Sequence, residues 1–203
     1  MARYIGPRNK ISRKFGIYIY GNKKYFQRKK YPPGQHGLLR KRIGKKSNYH
    51  IQLLEKQKLK YIYGILEKQL KKMLKFINKK KGIKGDLLLQ MCELRLDNVV
   101  YRIGYAKSRS FARQLVSHKH ILVNNKVINI PSYKINIGDT IKIKDKIKSN
   151  INIINSLKIT KSNIKSWLLF NNTECEAKCI RLPLRTDINE KINPQLIIEF
   201  YSK

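Results

Sequence analysis

"ARQLVSHKHILVNNKVI", residues 112–128, decides how the middle of the chain folds. Ala112, Leu115 and Val116 fall on one side of a short helix that starts near Arg109 and that Ser108 can cap. Arg109, Arg113 and Ser117, spaced four apart, line the opposite side. After His118, Lys119 and His120 the pattern changes. Ile121–Val123 and Val127–Ile128 read as strands around Asn124 and Asn125, and asparagine tolerates the positive φ that a tight hairpin turn demands. The stretch predicts a basic helix face leading into a twisted hairpin, with the cations of both elements on one convex surface.

The neighbouring segments extend this pattern. Thr140–Lys144 alternates as a further strand after the turn signal Gly138-Asp139. Upstream, Leu88, Cys92, Leu96, Val99 and Ile103 form the stripe of one helix expected from an Asp86 N-cap to Gly104, which makes Cys92 a small buried hydrophobe. Before it, Ile51, Leu54, Leu59, Ile62, Leu66, Leu70, Met73, Leu74 and Ile77 recur at helical spacing with lysines between them. Gly64 leaves two readings open there: two helices, or one with a close contact at the glycine. Residues 145–166 follow neither period. Residues 167–170 (WLLF) and 178–182 (KCIRL) predict a second hairpin, and the end predicts a helical turn from Asp187, a stop at Pro194 and a strand ending at Tyr201.

Charge dominates the composition. The 203 residues are 41% hydrophobic, enough for a real core, yet 46 Lys plus Arg against 12 Asp plus Glu leave a net charge of +34. A fold with that excess repels itself unless a polyanion neutralises it, and nucleic acid is the commonest such partner. Met1 to Leu54 holds fifteen basic residues and no acid, so this segment is expected to order on a phosphate surface, and residues 1–46 read as extended or loop-rich, with Gly6-Pro7 and YPPGQHG (31–37) as breakers. Tyr18, Tyr20, Tyr25, Phe26 and Tyr31 interleave with those charges, either to stack on bases or to anchor the arm to the body.

Other classes are excluded. No apolar run approaches the about 18 to 20 residues of a membrane span, and no secretory segment opens the chain, so a protein used where it is made is expected. Cys92, Cys175 and Cys179 give neither a disulfide framework nor a four-ligand zinc set, and no metal or cofactor is expected. Of the basic residues 34 are Lys and 12 Arg, and Ile, Asn and Tyr are abundant, as an AT-biased coding sequence would produce. Against that background Arg95, Arg102, Arg109 and Arg113 mark places where a planar fork is needed rather than charge alone.

Residues 95–133, RLDNVVYRIGYAKSRSFARQLVSHKHILVNNKVINIPSY, resemble the S4 RNA-binding module. MARYIGP, PPGQHG, LEKQKLKYIYGILEKQ and INEKINPQLIIEFYSK extend the likeness, in order and spacing, to the bacterial-type S4 (uS4) family of small-subunit ribosomal proteins; only about 17–31 and 145–180 match loosely. The resemblance implies an α+β fold. A basic arm (1–46) and a mainly helical domain (47–96, completed by about 183–203) would carry the inserted S4 RNA-binding module, two helices plus twisted β hairpins, and a following hairpin region (97–182). It also implies a primary rRNA-binding protein that nucleates the 5′ domain of a 16S-type rRNA at a helix junction. It would contact ribosomal protein S5 and other small-subunit proteins, lie near the mRNA entry and influence decoding accuracy. The expected location is the ribosome, in a plastid of apicoplast type, since the AT-type bias points to an organelle genome and PPGQHG with HILVNNKVINIPSY suits a plastid, with a bacterial cytoplasm or a mitochondrion as alternatives. Three departures are visible. Residues 1–46 lack the zinc-binding cysteines of some members, Asn125 stands at the usual glycine of the turn, and Phe111 replaces the acid that would complete a capping box with Ser108.

The expected rRNA contacts are Lys107, Ser108, Arg109, Arg113, Gln114, Ser117, His118, Lys119 and His120 in the module. A second group is Gln35 and His36, between Gly34 and Gly37, whose backbones allow close approach. Tyr49, Lys56, Gln57, Lys58 and Lys60 form a third on the long helix, and Arg3, Arg8, Arg13, Lys14, Arg40, Lys41 and Arg42 add arm contacts. Arg109 and Arg113 are expected to grip phosphate or stack on a base as forks. No catalytic residue is expected. Arg95-Leu96-Asp97 resembles the catalytic motif of pseudouridine synthases, but it lies on an apolar-striped helix with no catalytic domain beside it, so Asp97 is read as structural. The rival reading is a stress-related RNA-binding factor that acts off the intact ribosome.

Overall fold

The computed structural model describes residues 4–19, 23–38, 47–160, 164–171 and 175–202, and the fold is α+β. In chain order the helices and strands begin with α1 (Arg8–Phe15), α2 (Lys23–Arg28), α3 (Asn48–Tyr63), α4 (Glu67–Asn78), α5 (Lys84–Glu93), α6 (Leu96–Ile103) and α7 (Arg109–Ser117). They continue with β1 (Ile121–Val123), β2 (Lys126–Val127), β3 (Thr140–Ile143), α8 (Asp145–Lys148), α9 (Ile151–Thr160), β4 (Leu168–Asn171), β5 (Glu176–Cys179) and α10 (Pro194–Ser202). Two compact units divide the chain: residues 1–85 with 191–203, and residues 86–190. The sequence placed these changes near 96 and 183. The end of α5 goes with the second unit because the Leu94 carbonyl accepts from the Ile135 amide and Glu93 pairs with Arg102.

In the first unit the arm is more regular than its composition implied, which corrects the loop-rich expectation. Pro7 precedes α1, where a missing N–H costs nothing, and Gly16 ends it in the left-handed region at φ 66°. Ile11 and Ser12 are buried, and Phe15 and Tyr4 pack on the Tyr61 ring of α3. Those contacts are the anchoring reading of the arm's aromatics, here made by Phe15 and Tyr4. Ser47 caps α3 by accepting from the His50 amide, and Gly64 closes it at φ 64°, so the glycine separates two helices. The strand expected to end at Tyr201 is a helix instead. Pro194 starts α10 rather than stopping it, Asn193 Oδ1 accepts from the Gln195 amide, and Ile197 is buried as α10 packs on α3.

The second unit is built around a five-stranded antiparallel sheet of order β2-β1-β3-β5-β4. Leu122 opposes Val127, and Val123 opposes Lys126, across a two-residue loop in which Asn124 and Asn125 have φ of 50° and 62°. Both positive angles fit a type I′ turn, so asparagine does fill the glycine position. The Asn124 side chain also accepts from the Thr140 amide and donates to Asp139, which locks the turn to the start of β3. Ile121, Val123, Ile141, Ile143, Ala177 and Cys179 pack with Val99, Val100, Ile103, Leu115 and Val116 of α6 and α7 in one core. Each fully buried Leu, Ile or Val there contributes on the order of 2 kcal/mol.

Two further expectations change. The helix expected from Asp86 to Gly104 breaks at Leu94-Arg95, where Arg95 bridges to Lys134 and the Leu96 and Asp97 amides donate to the Tyr133 and Pro131 carbonyls. Asp86 lies in the first turn of α5 rather than capping it. The second hairpin exists as β4 and β5, but β5 starts at Glu176, ahead of the KCIRL run. After it, the turn expected from Asp187 is a 3-10 turn at Arg185–Asp187. Its Asp187 carboxylate accepts from Arg181, Ser166 and the Leu184 amide.

Candidate nucleic-acid interface

Ser108 caps α7 with its hydroxyl accepting from the Phe111 amide at 3.2 Å, as its position before an apolar-periodic run implies. At the other end the helix closes in a Schellman arrangement: the Lys119 amide donates to the Val116 carbonyl and the His120 amide to that of Leu115. The residue in the left-handed position is usually glycine, yet here it is Lys119 at φ 62°. Ser117, His118 and Lys119 are exposed, and the His118 and His120 rings lie 5.9 Å apart. The Lys144 amide donates to the His120 carbonyl, so β3 runs beside this turn. Partial burial, with His118 and Lys144 adding to it, lowers the His120 pKa. Gln114, Lys107 and Ser108 are exposed as well, and exposed Lys126 of the hairpin adds a cation that the sequence reading did not single out.

Arg109 and Arg113 sit elsewhere than expected. Arg109 Nε donates to Asn98 Oδ1 at 2.8 Å and its Nη2 to Glu190 at 2.5 Å, while its guanidinium lies 4.6 Å from the Tyr101 ring centroid. Arg102 donates to both Glu190 oxygens at 2.7 Å and to Glu93 at 2.6 Å and 2.9 Å, and Asn98 donates to Glu93. Arg113 lies 3.6 Å from Asp97, which takes two bonds from Arg95. Burial raises the Glu190 carboxyl, but Arg109 and Arg102 outweigh it and hold its pKa at about 2. These forks are needed, as the scarcity of Arg implied, but they bind carboxylates inside the unit. Asp97 is a buried member of that network, in keeping with a structural role.

The first unit treats its candidates unevenly. Lys56 is buried, 3.3 Å from Glu67 and 4.3 Å from the Phe200 ring centroid; Lys60 reaches Glu67 at 2.8 Å and Lys58 reaches Glu55 at 3.0 Å. Tyr201 also donates to Glu67. Burial raises Glu67, and Lys60, Tyr201 and Lys56 together bring it down to about 2. Lys56 is thus a cage that holds α10 on α3 rather than an open phosphate contact. Gln57 is half-buried, and Tyr49 is exposed with its ring 5.5 Å from that of Phe200. Arg8 and Lys14 are exposed on α1, Gln35 and His36 are exposed on their turn, and Arg13 bonds to the Tyr31 and Pro32 carbonyls. Arg3, Arg40, Lys41 and Arg42, with Tyr20, lie outside the described residues.

Among the described residues no group of three or more His, Cys, Asp or Glu could hold a metal ion, and no helix is long and apolar enough to cross a membrane. Cys92 is wholly buried and its thiol is pushed up by burial, which leaves it inert.

A capped helix and a type I′ hairpin on an antiparallel sheet, in a chain that also carries a basic helical unit, define an S4-domain protein, and sequence comparison agrees. A family model for the ribosomal protein S4/S9 N-terminal domain matches residues 3–93, and one for the S4 domain matches residues 94–141. The chain is 51% identical over 203 residues to the small ribosomal subunit protein uS4 of Christiangramia forsetii and 53% identical over 203 residues to that of Amoebophilus asiaticus. It is 52% identical over 204 residues to that of Karelsulcia muelleri; in all three pairs the match covers 100% of both chains. The chain belongs to the uS4 family of small ribosomal subunit proteins, and it is not an enzyme.

Proposed function

We propose that the protein is a primary binder of small-subunit rRNA that holds a helix junction of the 16S-type 5′ domain, nucleates assembly of the subunit body and, with ribosomal protein S5 near the mRNA entry, influences decoding accuracy. The observation that carries the RNA reading is the Ser117–His120 turn. A lysine held in the left-handed region between two histidines, in a chain of net charge +34, keeps donors exposed at a position where glycine would be less strained. Carboxylates take up the inner arginines, so the outward cations meet phosphate while the turn and the Gln35-His36 pair add directional contacts. The S5 and mRNA-entry roles rest on family likeness. The relatives named above come from bacteria, which favours a bacterial cytoplasm over the plastid expected from the sequence.

Equilibrium binding of the full chain to a folded 5′-domain junction RNA across a salt series tests the RNA reading. Affinity should fall by about a hundredfold or more between 50 and 200 mM salt, because many cations release counterions. An affinity that stays flat removes it. Stoichiometric recovery in sedimented small subunits supports the ribosomal role, and substoichiometric recovery supports the off-ribosome factor.

A further inference from the structure

Arg13 faces the wrong way for a phosphate ligand. It projects from α1, whose Phe15 and buried Ile11 fix the helix, and Phe15 packs 5.9 Å from the Tyr61 ring of α3. Its Nε donates to the Tyr31 carbonyl at 3.0 Å, its Nη2 to the Pro32 carbonyl at 3.2 Å, and its guanidinium lies 4.6 Å from the Tyr31 ring centroid. Two consecutive carbonyls and an aromatic face are what a planar fork can satisfy together, and an ammonium cannot. Just beyond, the Gly37 amide donates to the Gly34 carbonyl at 3.1 Å, so residues 34–37 close a turn with Gln35 and His36 at its two corners, both exposed. The turn has no slack. A Cβ on Gly37 would stand 2.1 Å from the Pro32 oxygen, the same carbonyl that Arg13 holds, and Gly34 has φ +109°.

We propose that Arg13 is a positioning residue: it clamps the Tyr31-Pro32 backbone so that the 34–37 turn presents the Gln35 amide and His36 imidazole as a rigid pair to an unpaired nucleotide of the rRNA. The proposal rests on the reading of Gln35 and His36 as RNA contacts. Neither is a lysine or arginine, so the pair acts by hydrogen bonds to a base edge or ribose, as single-stranded RNA is commonly read, and phosphate neutralisation is left to other residues. The helix fixes the fork, the fork fixes two carbonyls, and the carbonyls fix the turn. Disorder at the turn would otherwise subtract from each contact it makes.

The test uses the full-length protein and the junction RNA, with affinity measured along a salt series and hydrogen exchange at the Gly37 amide measured in the free protein. Gln35→Ala with His36→Ala should weaken binding about tenfold with an unchanged salt slope. Arg13→Lys and Gly37→Ala should each speed exchange at residue 37 and weaken binding by a similar factor. Neither should add to the loss once Gln35 and His36 are alanine, because all act through one contact. Arg13→Gln should behave like Arg13→Lys, again with the salt slope unchanged. If Arg13→Gln reduces that slope by about one, Arg13 contacts phosphate and the proposal is overturned. It is equally overturned if Arg13→Lys or Gly37→Ala binds like wild type while the Gln35/His36 double variant is weakened. If the double variant itself binds like wild type, the reading of the turn as an RNA contact fails, and the proposal falls with it.

Discussion

At its N-terminal end α7 turns Arg109 and Arg113 towards Asn98, Glu190 and Asp97, whereas at its C-terminal end the Ser117–His120 turn carries Lys119 and His118 out to solvent. Both ends are basic in sequence, and four-residue spacing puts Arg109, Arg113 and Ser117 on one face. The difference comes from what stands opposite. Acids are scarce in this chain, twelve in all, and among the described residues eight make ion pairs with Lys or Arg, Glu93, Asp97 and Glu190 included. Cations facing those carboxylates become framework, and the net charge is left for the rest of the surface. In a strongly basic binding protein, the few acids therefore report which cations are unavailable to the ligand.

The contrast breaks most visibly at Glu190. Replacing it with alanine leaves Arg102 and Arg109 without their shared carboxylate, and unfolding free energy should drop by about 3 kcal/mol, read by urea or thermal denaturation. The acid form of the same experiment has a defined sign. Because the folded pKa is depressed to about 2, the contribution is complete above the ordinary Glu value near 4.5 and is lost as pH falls from there towards 2. Glu190→Gln should make the loss of stability across that window shallower, with the remainder due to Glu67 and Asp187, and an unchanged acid profile would show that the carboxylate is not held as described.

Next in size is the pair Arg109→Lys with Arg113→Lys. An ammonium cannot serve Asn98 and Glu190 together, so stability should fall by about 2 kcal/mol, while rRNA affinity measured where the variant is fully folded falls by less than about threefold. A tenfold loss of affinity with unchanged stability would restore the expectation from sequence that these forks grip RNA. The smallest effect has opposite signs in its two readouts. Lys119→Gly relieves a left-handed lysine and should raise stability by up to about 1 kcal/mol, yet remove a contact and weaken RNA binding about threefold. A glycine variant that binds RNA fully would make Lys119 a mere cap.

Local chemistry was legible in the sequence, and distant partners were not. The Ser108 cap, the Asn124-Asn125 turn and the glycine end at Gly104 depend on residues within one turn of themselves, so their residue types declare them, whereas Gly64 left one helix or two open until its left-handed φ closed α3. The break at Leu94-Arg95 is invisible because the apolar stripe runs through it, and its cause, the 131–135 segment, lies far along the chain. Pro194 is ambiguous by nature, since a missing N–H suits the first helical position as well as a stop. The candidate site divided in the same way. Exposure at His118 and Lys119 followed from their place outside any apolar stripe, whereas Arg109 could not be assigned without Glu190, 81 residues away, nor Lys56 without Glu67 and Phe200.

The cage of Lys56, Glu67, Phe200 and Tyr201 sets a timetable. Residues 86–190 form one uninterrupted stretch and can fold as soon as they have been synthesised, but the unit that starts the chain lacks α10, with its Gln52–Glu199 and Glu55–Asn193 links, until residues 191–203 exist. Translation at about 5 to 20 residues per second leaves the first helices waiting several seconds or more for that last turn of chain. The earliest part made is therefore the last to close, and throughout the interval its basic arm is offered to any nearby polyanion before its own framework is complete.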